Sequence, residues 1–137
     1  MQSQESSVKN QVSGKEYQVS GEGRQDLSDR FSAFAKSVIT FVRPIKPDFI
    51  SRPIITQLVR SSTSIAANYS ESQNASSRKD FRNKIFISKK EAQETMHWLE
   101  MLKTCYPDQE VAIVRLFKEC NEIVLILQSI ENKLEKS

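Results

Sequence analysis

Apolar residues recur along this chain at intervals of three and four, the spacing that lines one face of an α-helix. The first such run is Leu27, Phe31, Phe34, Ala35, Val38, Ile39, Val42 and Ile45. It predicts a helix over about 27–43, with Asp26 as N-cap and Pro44 as terminator, because the residue before a proline avoids the α region. A second run, Ile54, Leu58, Ser61, Ser62, Ile65, Ala66 and Tyr69, predicts a helix starting at Ser51 or Pro53. Ser51 is the expected cap there, and residues 48–50 can form a preceding turn. This stretch is rich in small residues, which let a neighbouring helix approach closely. A third helix is expected over about 77–105, on the stripe Phe81, Ile85, Ala92, Thr95 or Met96, Leu99 and Leu102.

The fourth helix is expected from Asp108, just after Pro107, to Leu134. Its apolar set runs through Val111, Ile113, Val114, Leu116, Phe117, Cys120, Ile123, Val124, Leu127, Ile130 and Leu134. That set covers more than one narrow face, so the helix should be covered on two sides, by its own bundle and by a neighbouring subunit. Connections at about 44–50, 73–76 and 106–107 are short. The expected fold is therefore all-α, an up-down-up-down four-helix bundle. No strand-like alternation competes with it.

Glycine sharpens the picture. Gly14, Gly21 and Gly23 are the only glycines, and none follows Gly23. Tight hairpins and phosphate-cradling loops both lean on glycine. Residues 1–25, rich in Ser, Gln, Glu and Lys, read as a disordered tail, and residues 26–137 as the bundle domain. At 137 residues the chain fits one domain with a modest core, which oligomer contacts would extend. No secretory leader and no apolar run of about 18 residues is visible. A soluble cytoplasmic protein is the expectation, with Cys105 and Cys120 reduced.

The stretch Gln57, Arg60 to Glu71, followed by Lys90, Glu91, Ala92, Glu94, Thr95, Trp98, Leu99 and Leu102, resembles a bacterial family of four-helix-bundle proteins. Its first members are encoded by intervening sequences inserted in 23S rRNA genes. The resemblance spans about 27–134. It rests on "QLVRSSTSIAANYSES" and "SKKEAQETMHWLEML" occurring in order at the right separation. It implies a four-helix protomer and a barrel-shaped homopentamer. The chain is similar to the accessory variability determinant of diversity-generating retroelements. That relative binds a reverse transcriptase and nucleic acid through a positively charged surface, so the resemblance implies partners of the same kind. Where many members carry a glycine, Ser72 stands here, which implies an altered helix end.

Net charge is only +3, so whole-chain charge does not announce a nucleic-acid binder. A local cluster does stand out: Arg78, Lys79, Arg82, Lys84, Lys89 and Lys90, against Asp80 alone. At helical spacing Lys79, Arg82 and Lys90 share one broad face, and Arg78, Arg82 and Lys89 another. Such a face attracts phosphates without reading sequence, and an oligomer would repeat it. A solvated, solubilising face accounts for the same residues, and the low net charge favours that simpler account. The polar set Gln57, Arg60, Asn68, Glu71 and Glu94 reads as a structural network fixing helix register, with Arg60 bonded to Glu94 across helices.

No catalytic constellation emerges. Glu71 and Glu94 lack a nucleophile or pocket motif beside them. Glu94 and His97 supply only one of the two Glu-x-x-His motifs that a di-iron bundle needs. Trp98 and Tyr69 read as core or interface aromatics. The expectation is an oligomeric adaptor without enzymatic activity, cofactor or metal, with weak RNA or DNA affinity. The alternative is an oligomer that makes protein contacts alone.

Overall fold

The computed structural model describes residues 17–136, and residues 1–16 of the expected tail lie outside that range. Four helices follow one another: α1, Gly21–Val42; α2, Ser51–Gln73; α3, Arg78–Cys105; and α4, Glu110–Lys136. A single 3₁₀ turn, Pro107–Gln109, leads into α4. It uses up the residues with which α4 was expected to begin. No strand occurs among the described residues, and none of their helices is long and apolar enough to cross a membrane.

The short links make consecutive helices antiparallel. At one end, the hydroxyls of Ser51 and Tyr106 lie 2.8 Å apart and join the α1–α2 link to the α3–α4 link. At the other end, Arg78 donates to the Leu134 carbonyl and ties the start of α3 to the end of α4. The molecule is thus an up-down-up-down four-helix bundle. Its most extensive contact is α2 on α3, and its slightest is α1 on α4.

The helix ends explain themselves locally, with two corrections to the sequence reading. α1 starts at Gly21 rather than Leu27, and its cap is Ser20, whose Oγ accepts from Gly23 N. Asp26 lies inside the helix. A Cβ on Gly23 would sit 3.2 Å from Val19 and 3.3 Å from Ser20 Oγ, so glycine lets the capping hydroxyl come close. Residues 17–20 are also engaged. Tyr17 packs tilted against Phe81 with ring centroids 5.2 Å apart, and Gln18 donates to the Gln73 carbonyl at 3.0 Å. A tail extending to residue 25 is therefore not what these residues form.

The second correction concerns α2. Its free amides are capped by Asp48 rather than by Ser51. Asp48 Oδ1 accepts from the backbone of Ile50 and of Ser51, each at 2.9 Å, and Ser51 Oγ accepts in return from Asp48 N. α3 opens with Ser77, whose Oγ accepts from Asp80 N at 3.0 Å. It ends before Pro107.

The bond from the Ser51 backbone, with that from Ile50, holds the Asp48 carboxyl below its ordinary value. A depressed carboxylate contributes stability above its unfolded pKa and loses it as pH falls through the folded value. Asp48→Ala is therefore expected to lower the melting temperature at neutral pH. Melts followed by circular dichroism should show this difference fading below about pH 4, the ordinary aspartate value.

The core follows the expected stripes on α1, α2 and α3, while on α4 the expected Val111 stands 76% exposed. Phe31, Phe34 and Val38 meet Leu58, Ile65 and Tyr69, and these meet Phe81, Ile85, Leu99 and Leu102. α4 adds Ile113, Cys120, Ile123 and Leu127. Each large side chain so buried is worth roughly 1.5–3 kcal/mol against exposure.

The α2–α3 seam is different in kind. It is built on Ser61, Ser88 and Thr95, all fully buried. Small side chains bring the two backbones close, and hydroxyls then bond across the gap. Thr95 Oγ1 lies 2.8 Å from Ser61 Oγ, and Ser88 Oγ donates to the Ile65 carbonyl at 2.8 Å. Ser72 is buried as well, with its hydroxyl turned back onto the Tyr69 carbonyl. Both cysteines are free thiols. Burial pushes Cys120 up to about 12, which keeps its proton for a bond to the Ala92 carbonyl.

Candidate nucleic-acid interface

α3 turns Phe81, Ile85, Ser88, Ala92, Thr95, Leu99 and Leu102 inward. The opposite side must then face water, and the six candidate cations distribute themselves by that rule. Lys79, Arg82 and Lys90 are exposed, and none has an ion pair among the described residues. They are the trio that spacing groups on one face.

The other three are engaged within the bundle. Arg78 reaches the last turns of α4 through Leu134. Lys84 forms a 2.8 Å ion pair with Glu71 of α2, which raises its pKa. Lys89 lies 2.5 Å from Glu131 Oε1 and donates to Gln128 Oε1 at 2.9 Å. Both members of that ion pair are only 13% exposed. Lys89 is thus a tie between α3 and α4.

Between the start of α3 and the end of α4 runs a shallow groove of about 610 Å³. Lys79, Asp80, Arg82, Asn83 and Phe86 line one wall, and Glu131 and Glu135 the other. Phe86 stands in the open, 48% exposed, among the unpaired cations.

The polar set separates into two. Arg60 gathers Gln57 at 2.8 Å, Glu91 at 3.1 Å and Glu94 in one fork across α2 and α3. Partial burial works against the cation, but the bonds to Glu91 and Glu94 outweigh it and raise its pKa. Trp98 Nε1 also donates to Glu94, at 3.2 Å. Asn68 and Glu71 stand apart from this fork. Asn68 donates to the Ser64 carbonyl, and Glu71 holds Lys84. Lys84 and Glu94 are ten residues apart, about 15 Å of helix rise, so Glu71 and Glu94 do not form an acid–base pair.

The segment 26–129 matches the family described as 23S rRNA-intervening sequence protein. That match takes in all of α2 and α3 and most of α1 and α4. The chain belongs to this family. It is also similar to a crystal structure from Bacteroides thetaiotaomicron, described as a protein with unknown function from the S23 ribosomal protein family. The two share 33% identity over 77% of this chain and 97% of that one, with a TM-score of 0.68. No curated protein sequence gives a significant match.

Within this family member, three contributors escaped the sequence reading. Glu91 completes the Arg60 fork, Trp98 braces Glu94, and Arg30 bonds Glu119 at 2.8 Å and Glu122 at 3.0 Å to tie α1 to α4. Glu91 and Trp98 carry a readable signal, since each lies one turn from Glu94 or directly opposite Arg60. Arg30 carries none, because its partners are about ninety residues away. His97 packs edge-on against Trp98 at 4.7 Å. Among the described residues no group of three or more His, Cys, Asp or Glu side chains is placed to hold a metal ion.

Proposed function

We propose that this protein is a non-enzymatic oligomeric adaptor that holds RNA or DNA weakly and without sequence preference. The observation that carries this reading is the outward trio Lys79, Arg82 and Lys90, exposed and without an ion pair among the described residues. Phosphates gain from such cations through counterion release, which is indifferent to base sequence. The reading includes a homopentamer, in which five copies of the trio make weak contacts cumulative, and a reverse-transcriptase-type protein partner.

Fluorescence anisotropy with labelled RNA and DNA at rising salt tests it. Binding at low salt should weaken on charge reversal of Lys79, Arg82 and Lys90 to Glu. The slope of log affinity against log salt should flatten by about 2–3, one contact per lost cation. Absence of binding at low salt, or indifference to the triple change, defeats the reading. Mass by light scattering, with and without nuclease, reports the number of subunits and any nucleic acid carried along.

A second reading is an oligomer that works through protein contacts alone. Val111 and Leu125 on α4, 76% and 60% exposed, and Phe49, 83% exposed, favour it. A partner retained after nuclease treatment, by a protein that fails the anisotropy test, would support it.

A further inference from the structure

Resting on the nucleic-acid reading above, we infer that the α3 face takes single-stranded nucleic acid in preference to duplex, with a base stacked on Phe86. Lys79, Arg82 and Lys90 stand along the outer face of this helix. The structure adds an aromatic ring at their centre, 48% exposed on an otherwise polar surface. Arg82 lies one helical turn before Phe86 and Lys90 one turn after it, so a cation stands on either side of the ring. Lys89 Nζ, itself held by Glu131 and Gln128, lies over one face of the ring at 5.8 Å from its centroid, so the base stacks on the other face. An aromatic platform among cations that track a backbone is the arrangement by which proteins hold unpaired bases.

Charge across the groove argues the same way. Lys79 and Arg82, with Asp80 between them, form one wall of net positive charge, while Glu131 and Glu135 form the other. Lys89 engages Glu131, and Glu135 has no ion pair among the described residues. One phosphate backbone can follow the cationic wall. A duplex brings a second backbone, which would lie toward the carboxylate side and be repelled. A duplex also keeps its base faces stacked on one another, so Phe86 would contribute nothing to holding it.

The test is anisotropy at low salt with a labelled 20-mer single strand and a duplex of the same sequence. It uses the full chain and the variants Phe86→Leu and Phe86→Tyr. Wild type should bind the single strand more tightly than the duplex. Phe86→Leu should weaken single-strand binding by about 5- to 150-fold, the range that one base–aromatic stack commands. It should leave duplex binding and the salt slope unchanged. Phe86→Tyr keeps the ring and should keep the affinity. Circular dichroism and light scattering on each variant check that fold and particle mass are retained.

Equal loss on both ligands, no loss on either, or an altered particle mass with Phe86→Leu overturns the inference. If both ligands bind, respond to charge reversal of Lys79, Arg82 and Lys90 and ignore Phe86, the single-strand preference falls while nucleic-acid binding stands. If neither ligand binds, both readings fall together.

Discussion

Replacing Phe31 with alanine is expected to lower the free energy of unfolding by about 3–5 kcal/mol, the cost of emptying a large buried aromatic site. Phe31 is fully buried and meets Tyr69 edge-on, with ring centroids 5.1 Å apart. Such aromatic pairs add about 0.5–1.5 kcal/mol to simple burial. The position matters because α1 is held mainly by α2 and only slightly by α4. For a domain stable by about 5–15 kcal/mol, the loss is a large share. Chemical denaturation at one fixed protein concentration would measure it, since association shifts apparent stability. Phe49→Ala is the control: Phe49 is 83% exposed, and its removal should change stability by less than about 0.5 kcal/mol. A Phe31→Ala loss below about 1 kcal/mol would contradict the α1–α2 packing described above.

The second large effect is expected at Lys89. Lys89→Ala leaves the Glu131 carboxylate largely out of water without its cation, at 13% exposure. Breaking a fully buried pair from one side costs about 3–5 kcal/mol. The remaining exposure lets water share the charge, so a loss of about 2–4 kcal/mol is expected. Replacing both partners, Lys89→Met with Glu131→Leu, should recover most of it, because no unpaired charge then remains. Denaturant midpoints for Lys89→Met, Glu131→Leu and the double variant complete the cycle. Additive losses would show that the pair is not the tie between α3 and α4 that its geometry describes. The same reasoning removes Lys89 from any test of the outer surface, because its loss acts on the fold.

Much of the architecture was legible in the residues. Pro44 and Pro107 mark two ends, Ser77 marks a start, and spacing places the core stripes of α1, α2 and α3 correctly. These signals are local, and a helix obeys local rules. The beginning of α1 was not legible, because Gly21 and Gly23 count as helix breakers and the compensation comes from elsewhere. Tyr17 on Phe81 and Gln18 on Gln73 are tertiary contacts, and they hold a first turn that propensity alone disfavours.

The candidate surface shows the same division. Helical spacing puts Lys79, Arg82 and Lys90 on one broad face of α3, and all three are exposed. It could not show that Arg78, Lys84 and Lys89 are engaged, because their partners Leu134, Glu71 and Glu131 lie on other helices. Arg60 with Glu94 was legible across helices from charge and apolar register. Asn68 and Glu71 join that set because they lie in the same family-like stretches, and α2 carries both away along its axis.

The engaged residues 17–20 and the final turns of α4 bear on what an expression boundary should be. The family is recognised over 26–129. A protein trimmed to those limits would lack the Ser20 cap, the Tyr17 ring and the buried Leu134, together with Glu131 opposite Lys89. The folded body is longer than the segment by which its kin are identified. Weak behaviour of such a trimmed fragment would report on missing flanks, and would say little about the bundle itself.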